Sequence, residues 1–140
     1  MSVGKELFRR WGEVWTRRDV GRLDELHTPG SRDRTGNPGV TPDTAGMKQF
    51  ILRLRAAFPG AVFTTEDMVA EDDRVTARWT MRGIHTGEFN EIPAVGKPVN
   101  LAGFAFLRIQ DGRVAELWHW ETLENDLATL PRLGLIPAPG

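Results

Sequence analysis

The chain reads as an α+β protein, helices first and sheet second, and three observations predict this. Apolar residues recur at three- and four-residue spacing as far as Pro59-Gly60, the period then falls to two, and the strand-like runs are joined by polar, glycine- or proline-containing connections. Helices that precede a meander pack on one face of a mainly antiparallel sheet, here expected to have four strands and to curve around an internal pocket. At 140 residues the sequence has the length of one domain, 1–140, able to bury a core without disulfides or metal.

Between Val3 and about Arg18, the residues Leu7, Phe8, Trp11, Val14 and Trp15 form an apolar stripe beside Glu6, Arg9, Arg10, Glu13 and Arg17. That is an amphipathic helix. Asp19 can cap a second, shorter helix through Val20, Leu23 and Leu26, with His27 as a C-terminal cap or surface residue. Residues 28–42 contain three prolines and three glycines and read as a loop on a pocket rim. Thr41-Pro42-Asp43-Thr44 supplies caps for a third helix, whose face is Met47, Phe50, Ile51, Leu54 and Phe58.

Ala61 to Ala70 and Arg74 to His85 read as a hairpin turning at Glu71-Asp72-Asp73. Val75, Ala77, Trp79 and Met81 alternate with Arg74, Thr76, Arg78, Thr80 and Arg82, so Arg78 and Arg82 face solvent or a dimer partner. A Gly- and Pro-rich connection from Thr86 to Pro98 leads to Val99–Ile109, apolar enough to be buried on both sides. Gln110-Asp111-Gly112 turns the chain into a last strand ending near Thr122. Leu123, Leu127, Leu130, Leu133 and Leu135 then mark a short helical or irregular tail cut by Pro131.

Charge and composition exclude several function classes. The formal net charge is −1 with no basic block, which argues against a nucleic-acid partner. The absence of cysteine removes thiolate zinc sites and cysteine nucleophiles and suits a reducing cytoplasm. The first residues carry no apolar signal core, and no apolar run is long enough to span a membrane. With five tryptophans, seven phenylalanines and no tyrosine, acid/base work falls to His, Asp or Glu.

The last strand carries the candidate chemistry. Alternation puts Ala115, Leu117, His119 and Glu121 on one face and Val114, Glu116, Trp118 and Trp120 on the other. Cα atoms of His119 and Glu121 are then roughly 6.6 Å apart, close enough to address one bound molecule. Burial against aromatics raises a carboxylate toward the pKa that suits an enolate-forming base, which is the case for Glu121 as catalytic residue. The plainer reading is a glutamate in solvent or paired with arginine. His119 can hold or protonate a substrate oxygen, or be a satisfied core histidine. Trp79, Phe104, Phe106 and Trp120 could line a pocket for a flat polycyclic ligand or simply fill the core, and Trp15 is placed with the pocket group. His85, His119 and Glu121 are types that can ligate metal, but no close histidine spacing supports a site, so no metal is expected.

Four segments together resemble a known family: Gly83-Ile84-His85-Thr86-Gly87-Glu88-Phe89, Ile92-Pro93-Ala94-Val95-Gly96-Lys97-Pro98-Val99, Asp111-Gly112-Arg113-Val114-Ala115-Glu116-Leu117-Trp118 and Leu130-Pro131-Arg132-Leu133-Gly134. In order and spacing the chain resembles the SnoaL-like polyketide cyclases over nearly its whole length. The resemblance implies the cone-shaped α+β barrel shared with ketosteroid isomerase and nuclear transport factors. It further implies a cofactor-free aldol ring closure in secondary metabolism such as antibiotic biosynthesis, a hydrophobic small-molecule ligand, and a homodimer. Glu121 matches the family's acid, usually Asp, and His119 its partner; His85 resembles a family-wide residue and takes a secondary site role. Ser31-Arg32-Asp33-Arg34 stands where many members have an aromatic followed by Asp-His, so the polar group from that loop is missing or is Arg34. Glu91 and Val95 replace a common glycine and threonine. Rival readings are an isomerase or epoxide hydrolase in the same cone, or a non-catalytic ligand-binding or dimerisation module.

Overall fold

A computed structural model describes residues 2–17, 19–88 and 96–123. The tail beyond Leu123, residues 89–95 of the connection, and with them Glu91 and Val95, lie outside the described residues. The order is α1 (Val3–Arg17), a 3-10 turn (Val20–Arg22) running into the short α2 (Leu23–Leu26), β1 (His27–Asp33), α3 (Thr44–Ala57), β2 (Val62–Glu71), β3 (Arg74–Ile84), β4 (Pro98–Gln110) and β5 (Arg113–Leu123).

The sheet has five strands in the order β1-β5-β4-β3-β2, all neighbours antiparallel except β1 and β5, which are parallel. This corrects the four-strand expectation: the segment from His27, read as a helix cap and loop, is an edge strand. Its Pro29 and Gly30 hide it from a composition reading, yet an edge tolerates proline because one side needs no ladder donor. The ladder shifts register between His27 and Arg32 before Arg32 and Asp33 pair with Glu116 and Leu117.

The helices close one face of the sheet. Leu7, Phe8, Trp11 and Val14 of α1 are buried against the ladder with Leu23, Leu26, Met47 and Ile51, and a second cluster gathers Phe50, Leu54 and Phe58 of the α3 segment with Met81, Val99 and Leu101. At the start of α3 the Asp43 carboxylate accepts the Gly46 N–H at 3.0 Å, the N-cap bond expected of Asp before a helix. Gly46 is required there, since a Cβ would sit 1.7 Å from the Thr41 carbonyl oxygen. The β4–β5 turn uses positive φ at both Asp111 (53°) and Gly112 (74°), as a two-residue hairpin demands.

β4 is not buried on both sides. Val99, Leu101, Ala105 and Leu107 face the core, whereas Phe104 is 54% exposed on the outer face opposite Trp120, itself 57% exposed. No helix among the described residues is long and apolar enough to cross a membrane.

Candidate active site

Between α1, α3 and the sheet lies a cavity of about 450 Å³. Its walls are aromatic, with Phe8, Trp11, Trp15, Phe50, Phe63 and Trp79 contributing, and hydroxyl or amide groups of Thr16, Thr35, Asn37, Thr64 and Thr65 interrupt them. His119 and Glu121 also line it, from the inner face of β5. Their ladder partners on β4 are Ala105 and Gly103, so small neighbours leave the imidazole and carboxylate room to project inward.

The His119 ring lies between two carboxylates. Nδ1 is 2.5 Å from Glu121 Oε1 and Nε2 is 2.9 Å from Asp33 Oδ2. Ionised carboxylates only accept, so both ring nitrogens must donate, which makes His119 an imidazolium. Burial alone would lower its pKa, but the bonds to Asp33 and Glu121 and their charges outweigh burial and raise it to about 9. Side-chain exposure falls from 22% at Glu121 to 11% at His119 and 4% at Asp33. The string therefore presents Glu121 to the cavity and anchors its other end inside the protein.

Asp33 owes its position to β1 and the turn after it. Its Oδ1 accepts the Thr35 and Gly36 N–H groups at 3.1 and 2.9 Å, and Oδ2 accepts Asn37 Nδ2–H at 3.2 Å as well as His119. Burial would raise this carboxyl, but the bonds and charge of His119 and the turn amides hold it below the usual range. The His119 backbone N–H donates in return to Thr35 Oγ1 at 2.9 Å, so loop and strand hold each other.

Of the residues singled out from the sequence, Glu121, His119, Trp79 and Trp15 meet at the cavity. Four others do not. Phe104 and Phe106 lie on the outer sheet face, because the inner row of β4 runs through Gly103 and Ala105 and their parity is opposite. Arg34 begins the turn after β1 and its side chain goes to the outer sheet face, donating Nε–H to Glu116 at 2.7 Å with half its side chain exposed. His85 is fully buried at the end of β3, stacked on Phe58 at 5.2 Å, where the Thr86 and Gly87 amides tie the chain to the Ala57 carbonyl. It lies under α3 and outside the lining of the cavity that holds His119 and Glu121, so the ligand set of His85, His119 and Glu121 is not assembled; no metal-like grouping occurs among the described residues.

The group missed from the sequence is Asp33, which supplies the polar reach that seemed lost from the loop. Its local signal is an Asx turn, Asp33-Arg34-Thr35-Gly36, in which the side chain bonds backbone two and three residues on. His27, expected at a helix end or on the surface, is buried instead. Its Nε2 accepts Trp11 Nε1–H at 3.0 Å, which puts the ring proton on Nδ1 for donation to Thr44 Oγ1, also at 3.0 Å. Burial lowers its pKa to about 4, a neutral histidine that fixes a wall tryptophan.

Among known structures the chain is similar to AclR, a candidate hydroxylase from Streptomyces galilaeus, with 28% identity, 95% of this chain and 85% of that one covered, and a TM-score of 0.76. It is similar to TsrD from Streptomyces laurentii at 29% identity, with 96% of each chain covered and a TM-score of 0.76. A candidate polyketide cyclase from Bacillus cereus shares 27% identity over 93% of this chain and 79% of its own, with a TM-score of 0.75. No curated protein sequence matches significantly. The family model for SnoaL-like polyketide cyclases matches residues 5–130, which is nearly the whole chain and contains Asp33, His119 and Glu121; the protein belongs to that family.

Proposed function

We propose that this protein closes a ring in an aromatic polyketide or related ketone by intramolecular aldol addition, with Glu121 as base. The observation that carries the reading is a carboxylate, half-sheltered and held by an imidazolium, on the wall of an aromatic cavity. Glu121 Oε1 is engaged by His119, which leaves Oε2 to take the proton from carbon between two carbonyls. The resulting enolate carbon attacks a second carbonyl of the same molecule, a C–C bond forms, and the new alkoxide receives the proton that Glu121 took. One proton leaves and returns, so the cycle consumes nothing. His119 orients the carboxylate and supplies positive charge beside the enolate, and Asp33 orients His119.

The Asp33 anchor also supports an enzyme over a passive binding module, since the loop contributes a polar group to the string after all. Product analysis with candidate aromatic polyketides tests the reading. Glu121→Gln is expected to lose about 10²- to 10⁴-fold in turnover while keeping its fold, the usual worth of a positioned general base; unchanged turnover would remove Glu121 from the mechanism.

We further infer a homodimer, joined through the outer sheet face. Phe104 and Trp120 pair directly across β4 and β5, and beside them Phe106 and Trp118 meet edge to face at 5.6 Å. A contiguous aromatic patch of this kind on a sheet suits a protein partner more than water.

A further inference from the structure

One inner-face row crosses the sheet at the level of the proposed base: Thr65 pairs with Trp79, Trp79 with Gly103, and Gly103 with Glu121. Gly103 is the gap in that row. A Cβ there would lie 2.6 Å from Cζ2 and 2.8 Å from Cε2 of Trp79, and 2.7 Å from the Trp120 carbonyl oxygen. The indole therefore leans over bare β4 backbone, occupying the space a side chain would need, toward the strand that carries Glu121. Phe63 packs at its other side, with ring centroids 6.2 Å apart and planes at 47°.

An aromatic laid over a glycine on the neighbouring strand is a known way to cover exposed sheet backbone. That accounts for the pair as packing, but not for its place. Trp79 is only partly buried, lines the cavity, and stands two strand spacings, about 9.6 Å, from the β5 column that holds Glu121, a gap that its indole narrows by leaning over Gly103. With part of the indole resting on Gly103 and part against Phe63, its remaining surface lines the cavity. We infer that Trp79 is a specificity-determining stacking platform: it seats a planar ring system so that one edge is presented to Glu121, and Gly103 is the residue that permits this. A ring displaced from the platform toward Phe8 or Trp11 would carry its acidic carbon away from the carboxylate. The inference rests on the proposed reading of the cavity as a site for aromatic ketones.

The test is binding of 1,8-dihydroxyanthraquinone, a planar probe, to the wild type, Trp79→Leu and Trp79→Phe by titration calorimetry, with circular dichroism to confirm folding. Stacking predicts that Trp79→Leu, which keeps apolar bulk but loses the π face, weakens binding about tenfold, while Trp79→Phe, which keeps an aromatic over Gly103, stays within about threefold. Wild-type affinity in Trp79→Leu, or equal losses in the leucine and phenylalanine variants, would overturn the platform and leave the cavity reading standing. Failure of the wild type to bind the planar probe would overturn both.

Discussion

At the scale of single residues, the proposed working group is a histidine that two carboxylates keep charged. The ordinary imidazole pKa of 6.5 becomes about 9 at His119 because Asp33 and Glu121 together outweigh the cost of burial. Nitrogen-15 NMR of the ring is therefore expected to show both nitrogens protonated at pH 7.5 and a midpoint near 9, moving down in Asp33→Asn. A single neutral tautomer at pH 7.5 would contradict the geometry. Half of this group was legible in the sequence. His119 and Glu121 share a face because strand alternation is local and leaves no choice. Asp33 lies 86 positions away from His119, and only the parallel pairing of β1 with β5 brings it near. Nothing in periodicity encodes that pairing.

Among the elements, β1 and β4 depart most from a sequence reading. Turn residues disguised β1 as a loop, and what seats it is tertiary: the Trp11–His27–Thr44 chain ties its first residue to α1 and α3. β4 reads as apolar on both faces because one face meets the core and the other presents Phe104 and Phe106, and composition cannot tell buried from exposed apolar residues. The His27 tie has a consequence for stability. Its folded pKa of about 4 lies below the unfolded 6.5, so the stabilisation from its neutral form is complete above pH 6.5 and is lost as pH falls through about 4. His119 has the opposite sign: its contribution is complete below pH 6.5 and is lost as pH rises through about 9. Each is worth on the order of 3 kcal/mol at full extent. Urea unfolding across pH should therefore give a maximum near pH 6.5, with His27→Gln flattening the acid limb and His119→Gln the alkaline one. A monotonic profile would show that these two histidines do not govern it.

For the molecule as a whole, the helices and the β2–β5 meander were legible from the change of period at Gly60, while β1, which comes before α3, was not; the family was legible from short motifs spread along the chain. The outcome is a sheet with two unlike faces. The inner one, with the helices, encloses the cavity; the outer one carries the aromatic patch proposed to join two copies. Placing a charge there, as Phe104→Glu or Trp120→Glu, is expected to shift the mass measured by light scattering to that of a monomer without loss of fold; a wild type that is monomeric at micromolar concentration would dismiss the dimer. The central claim concerns the inner face, that Glu121 removes a proton from carbon. Deuterium exchange in D₂O tests it most directly, followed by NMR at the carbon between the carbonyls of a bound aromatic β-diketone. The account predicts that wild-type protein accelerates this exchange and that Glu121→Gln, still binding the ligand, does not. Equal exchange by the two proteins would contradict it.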